Sequence, residues 1–285
     1  MCGLTGFINL KNDKSACEDH LRAMNSALTH RGPNDEGYWI DPPRILGMAH
    51  RRLSILDLSR HGHQPMFSAS NRFVIAFNGE VYNFLKLRKQ LTSVQWRGHS
   101  DTEVILAIID QWGIEDAVKK FVGMFAFALW DKKERLLHLV RDRLGIKPLY
   151  YGWQGNSFLF GSELKALKSH PEFRGVIDRN SLSLFIRYNH IPAPFSIYEG
   201  INKLLPATFS AFPQIIPNKL SLRFPIGLPR IPWSRELMNP LPVRRRRRSN
   251  NLRPFWRMPS NCGWCQMCLW EPFYPVVSIH PQWPH

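Results

Sequence analysis

With 285 residues, 44% of them hydrophobic, the chain can bury one large core or two small ones. No run of about 18 uncharged apolar residues occurs and no basic stretch precedes an apolar one near Met1, so neither a membrane span nor a secretory signal is expected. Five unevenly spaced Cys do not make a secreted disulfide framework, which points to a reducing, cytoplasmic setting, and the formal charge of +16 is lopsided: residues 1–210 hold 27 Lys+Arg against 20 Asp+Glu, residues 211–285 hold 11 against 2. A reading of the whole chain as a basic nucleic-acid binder would rest on that last stretch alone.

In chain order, residues 3–10 form a short apolar run with strand character, and residues 17–30 carry Leu21, Met24, Ala27 and Leu28 at helical spacing. His30-Arg-Gly-Pro-Asn-Asp35 is turn chemistry. Residues 44–56 and 73–82 read as strands, the second with a turn at Asn78-Gly79. Residues 100–111 read as a helix, with Ser100 as N-cap, Glu103 completing a capping box, and Val104, Leu106, Ile108 and Ile109 supplying apolar weight. Residues 124–130, 136–140, 149–153 and 157–161 read as further strands in hairpin order. Mixed helix and strand with successive hairpins predict an α+β fold built on mainly antiparallel sheets. Residues 211–285 hold 13 of the 22 Pro, five consecutive Arg at 244–248 and almost no acids. Pro at that density breaks helices and interior strands alike, so a largely disordered tail is expected.

Cys2 is the position with most chemistry to offer. A small residue after Met1 permits removal of the initiator Met, and the new terminus then carries a thiol and an α-amine on one residue. The amine titrates near ~7.7–8.0 and the thiol near ~8.5, so the amine can act as the base that activates the sulfur. Acyl transfer also needs donors for an oxyanion. Asn78 and Gly79 offer a side-chain amide and an unhindered N–H, though the same dipeptide is the commonest hairpin turn. An amino-acid substrate presents a carboxylate and an ammonium. Arg51 and Arg52 are cations before an apolar stretch, and Glu80 and Asp101 are anions; each also reads as a solvated charge, and Asp101 as a helix N-terminal residue favoured by the dipole.

Together these residues resemble the signature of class II glutamine amidotransferases, and within them the glutamine-hydrolysing asparagine synthetases. The resemblance runs through Met-Cys2-Gly3, His30-Arg31-Gly32-Pro33, His50-Arg51-Arg52-Leu53-Ser54-Ile55, Gln64-Pro65-Met66, Phe77-Asn78-Gly79-Glu80-Val81-Tyr82-Asn83 and Gly98-His99-Ser100-Asp101-Thr102-Glu103. Segments 123–131, 141–151, 161–167 and 188–206 extend it over about residues 1–209. It implies a four-layer αββα sandwich of the N-terminal nucleophile hydrolase type. It implies that Cys2 attacks L-glutamine, with Asn78 and Gly79 forming the oxyanion hole. Arg52 would clamp the carboxylate, backbone groups of Leu53 and Ile55 would lie nearby, and Glu80 and Asp101 would hold the ammonium. No metal and no cofactor are expected for that step.

The resemblance also implies a second domain that uses ATP and Mg to amidate aspartate and carries a Ser-Gly-Gly-x-Asp-Ser loop. No such sequence occurs here. The expected organisation is therefore an amidotransferase domain over 1–180, a linker and the start of a synthetase domain over 181–209, and an irregular tail over 210–285. The joint change in charge, Pro and Trp after Phe209 reads as a shifted reading frame or aberrant terminus. Expected partners are L-glutamine and a synthetase domain or intact homologous subunit, with a homodimer one admissible arrangement and no specific nucleic acid. Alternatives are an amidotransferase feeding a different acceptor, in cell-surface sugar or peptide modification, and an inactive product. Within the tail, Cys262-x2-Cys265-x2-Cys268 resembles the start of an iron–sulfur run, but Pro272 stands where a fourth Cys would fall.

Overall fold

Strand side chains alternate between two faces, and here most strands use both faces for burial. The computed structural model describes residues 1–9, 16–41, 46–55, 57–92, 94–213 and 222–225. In chain order, its first half holds β1 (Gly3–Asn9), α1 (Cys17–Ser26), β2 (Asp35–Ile40), β3 (Leu46–Arg52), a 3-10 turn (Arg60–Gly62), β4 (Met66–Phe67), β5 (Phe73–Val81), α2 (Phe84–Arg88), α3 (Asp101–Trp112) and α4 (Ile114–Lys120). There follow β6 (Gly123–Asp131), β7 (Leu136–Arg141), β8 (Tyr150–Gln154), β9 (Ser157–Gly161), α5 (Leu164–Lys168), α6 (Arg179–Tyr188), β10 (Ile201–Lys203), β11 (Thr208–Pro213) and β12 (Leu222–Pro225).

The strands form two six-stranded sheets, β10-β8-β9-β1-β3-β2 and β12-β11-β7-β6-β5-β4. Adjacent strands in both sheets run antiparallel. Even-numbered residues of β1 and β3 (Leu4, Ile8, Leu46, Met48) meet Val74, Ala76, Ala126, Ala128 and Trp130 between the sheets. The odd residues Ile75, Phe77, Phe125, Phe127 and Leu129 turn outward beneath Val104, Ile105 and Ile108 of α3. Phe7, Ala49 and Leu159 turn outward on the other side, against Leu21 and Met24 of α1 and Ala166 and Leu167 of α5. The result is the expected αββα order of layers. Each fully buried Leu, Ile or Phe contributes roughly 1.5–3 kcal/mol.

Several elements depart from the sequence reading. Asn78-Gly79 is no turn: both residues sit inside β5, opposite Ala126 and Phe125 of β6. The ladder with β6 satisfies the backbone there, and the chain reverses only at Tyr82-Asn83. The strand expected over 44–56 ends at Arg52. The capping box is half made: Ser100 Oγ accepts Glu103 N–H at 3.3 Å, but the Glu103 carboxylate accepts from Arg97 N–H (2.8 Å) and Gly98 N–H (3.0 Å) instead of returning to Ser100. β10 and β11 add strands to the two sheets beyond residue 180, and β11 crosses the boundary expected at 209/210, with Phe212 packing on Phe158 at 4.5 Å between ring centroids. The remaining expectations for the tail, including the Arg run and the three Cys, lie outside the described residues. No helix among the described residues is long and apolar enough to cross a membrane.

Candidate active site

The register of β1 against β3, with Gly3 opposite Arg51, sets Cys2 beside the end of β3. There the backbone turns to meet the sulfur. Leu53 N–H donates to Cys2 Sγ at 3.3 Å, and the thiol lies 3.6 Å from Leu53 O. From the other sheet, the end of β5 brings Asn78, Gly79 and Glu80. The third wall is the start of α3. Asp101 Oδ2 accepts Val81 N–H at 3.0 Å, which fastens the helix N-terminus to the end of β5. Gln64 reinforces the same joint, accepting Phe77 N–H at 2.7 Å and donating to Thr102 Oγ1 at 3.3 Å.

These elements enclose a cavity of about 140 Å³, with Met1 still in place, and the eight residues to which the family resemblance gave a role all line it: Cys2, Arg52, Leu53, Ile55, Asn78, Gly79, Glu80 and Asp101. Arg52 is buried, and its guanidinium is aimed by two backbone carbonyls, Ser59 O at 2.9 Å and Asp57 O. Gly62 makes room for it, since a Cβ there would lie 1.9 Å from Arg52 Nη2. Arg51, the other cation considered, instead pairs with Glu36 at 2.5 Å. Asn78 is 1% exposed and its Nδ2 is buried with no hydrogen-bond partner. A buried amide donor without an acceptor costs roughly 1–3 kcal/mol, so it is a group prepared to meet an oxygen.

Burial pushes the Cys2 thiol above its ordinary pKa; Leu53 N–H, the chain-terminal charge and Arg52 pull the other way, and Asp101 adds to the rise. The sulfur is therefore a thiol that needs a base. Burial also pushes Asp101 up to about 6, opposed by hydrogen bonds from Val81 and Thr102 and assisted by the charge of Glu80. His50 is fully buried beneath the site, its Nε2 2.9 Å from Phe77 O, and burial pulls its pKa down to about 4. It is a neutral strut between the sheets. Among the described residues no group of three or more His, Cys, Asp or Glu is arranged to hold a metal ion.

Gln64, Asp57, Met124 and Lys147 also line the cavity, and reading the sequence assigned them no role. Gln64 and Lys147 lie in segments that carried the family resemblance, but nothing local says that they converge with Cys2. The arrangement offers a thiol, an amide donor, two cations and three carboxylates around one space.

Residues 1–217 match the family described as Glutamine amidotransferase domain. The chain is 39% identical over 222 residues to a putative glutamine-hydrolysing asparagine synthetase 2 of Methanocaldococcus jannaschii, covering 72% of this chain and 42% of that protein. It is 40% identical over 221 residues to the glutamine-hydrolysing asparagine synthetase 3 of Bacillus subtilis, covering 74% of this chain and 35% of that protein. The chain thus spans less than half the length of these relatives. In fold it is similar to the glutamine phosphoribosylpyrophosphate amidotransferase of B. subtilis, at 16% identity and a TM-score of 0.57 over 80% of this chain and 50% of that one. Every element that builds the cavity falls within the matched residues, and the chain belongs to the family of glutamine amidotransferase domains.

Proposed function

We propose that this chain hydrolyses L-glutamine to glutamate and ammonia at Cys2, once Met1 has been removed. The terminal α-amine takes the thiol proton as Sγ attacks the side-chain amide carbon. Negative charge gathers on the carbonyl oxygen, and Asn78 Nδ2 and Gly79 N–H meet it. The amine returns its proton to the leaving nitrogen, ammonia departs, and a thioester remains. Water, activated by the same amine, then attacks the thioester, releases glutamate and restores the thiol. Arg52 pairs with the substrate carboxylate as a bidentate fork, and Glu80 and Asp101 receive the ammonium. Leu53 and Ile55 border the substrate.

The observation that carries the reading is the buried, partnerless Asn78 Nδ2 in the cavity that also holds Cys2. Removing one such donor typically costs ~2.7–4 kcal/mol of barrier. The family resemblance supports aspartate as the acceptor of the ammonia, in a synthetase domain or intact homologous subunit that supplies ATP and Mg. No ATP step is assigned to this chain, which carries no Ser-Gly-Gly-x-Asp-Ser loop. The test is a glutaminase assay on protein whose intact mass shows Met1 removed. Cys2→Ala is expected to abolish activity, and protein retaining Met1 is expected to be inactive. Hydrolysis surviving either change would reject the mechanism.

A further inference from the structure

Lys147 has no part in the chemistry above, yet it lines the same cavity and is only 5% exposed. Its backbone is fixed from two directions: Lys147 N–H donates to Asp142 Oδ2 at 3.1 Å, and Lys147 O accepts from Arg141 Nε at 2.8 Å. The buried Asp142 carboxylate also gathers the N–H groups of Phe125, Leu144 and Ile146 at 3.0–3.2 Å. The loop between β7 and β8 is thus a built platform that delivers one ammonium into the cavity. That ammonium donates to the Met1 thioether at 3.2 Å, and no ion pair joins it to a carboxylate among the described residues. A sulfur is a weak acceptor for a buried cation, and it belongs to the residue that the proposed reaction requires to be lost.

The charges around the terminus explain what the cation is for. Glu80 from β5, Asp101 from α3 and Asp57 from the segment after β3 line the cavity, and they favour a charged terminal ammonium, which cannot accept a proton. Arg52 from β3 opposes them, with its guanidinium already held by two carbonyls. Met1 Sδ is five bonds from the Cys2 nitrogen, so Lys147 Nζ stands at most about 10 Å from that nitrogen.

We propose that Lys147 is a positioning residue that holds the processed Cys2 terminus in its proton-accepting form. The inference rests on the reading of Cys2 as the nucleophile. A fixed cation favours loss of the first proton from the thiol–ammonium pair, whichever of the two gives it up, so the effect does not depend on where the shared proton sits.

The test uses the full chain with Met1 removed. In Lys147→Met the acid limb of the kcat profile is expected to move up by about one pH unit, with KM for glutamine at pH 8.5 unchanged. Lys147→Arg is expected to restore the limb. A limb that stays in place, or a rise in KM alone, would overturn the proposal, the latter by showing that Lys147 touches the substrate. A titration of isotopically labelled Cys2 in the wild-type protein and in Lys147→Met judges the same point without turnover. A first pKa that rises by about one unit in the variant supports it, and an unchanged one overturns it. Processed wild-type protein without glutaminase activity would instead reject the Cys2 reading, and the titration would still decide the role of Lys147.

Discussion

At Asp101, burial holds the carboxyl near a pKa of about 6, so the empty site keeps much of this group protonated in mild acid. Pairing with a substrate ammonium requires the ionised form. In the proposed reading, glutamine binding is therefore expected to be full only above about pH 7 and to weaken as pH falls through 6, approaching tenfold per unit below it. KM measured from pH 7.5 to 4.5 is expected to climb below 6. Asp101→Asn is expected to raise KM already at pH 7.5 and to remove the climb; a wild-type KM that stayed flat to pH 5 would take Asp101 out of the substrate site. Asn78 is the complementary case, because the proposed mechanism uses its donor in the transition state. Asn78→Ala is expected to lower kcat by about 10²–10³-fold with little change in KM, and a change confined to KM would reassign the amide to substrate binding.

The strand and helix ends that meet at the cavity hold these side chains in place. Ser100 caps α3, and the next residue is Asp101, so losing the cap loosens the helix turn that carries the carboxylate. Ser100→Ala is expected to cost about 1 kcal/mol in denaturant unfolding and to raise KM together with it. A stability loss with KM unchanged would show that the Val81 N–H bond alone positions Asp101. Gly79 is the tighter constraint: a Cβ there would stand 2.2 Å from Met124 O in the β5–β6 ladder. The Ser100 cap was legible in the sequence because N-cap chemistry is local, and strands β1, β3 and β5 to β9 and helices α1 and α3 were legible from their apolar patterns. The Asn78-Gly79 turn was misread for the opposite reason, since only a distant partner strand, at Ala126 and Phe125, shows that the dipeptide continues a ladder. The short helices α2, α4 and α5 span at most 7 residues each and carry too few turns for periodicity to single them out, whereas α6, as long as α1 at 10 residues, falls mostly in the stretch read as a linker. That Cys2, Arg52, Asn78, Glu80 and Asp101, which line one cavity, belong together was legible through their motifs. Lys147 was not, because its approach to Met1 depends on a contact across 146 residues.

Across the whole sandwich, three buried histidines set the response to acid. Burial pulls His50, His138 and His170 each down to about 4, helped at His170 by the neighbouring His20 and opposed at His138 by Asp131. Each folded pKa lies below the ordinary His value of 6.5, so the unfolded chain takes up the proton first. The stability these groups allow is complete above pH 6.5 and is lost as pH falls toward 4, by on the order of 3 kcal/mol for each. Asp101 acts in the opposite sense. Its folded pKa is raised, so the stability it withholds at neutral pH returns as pH falls through 6, and it offsets about one of the three histidines. A domain of this kind has about 5–15 kcal/mol to lose, and the net deficit near pH 4 is a large part of it. The denaturant midpoint of the full chain is therefore expected to fall steeply between pH 6.5 and 4.5. His50→Gln keeps a donor for Phe77 O and removes the titrating ring, so it is expected to lower stability at pH 7 while flattening this slope. Equal slopes in the variant and the wild type would mean that His50 is protonated in the folded state as readily as in the unfolded one, and that the joint between the sheets at Phe77 is wetter than its burial indicates.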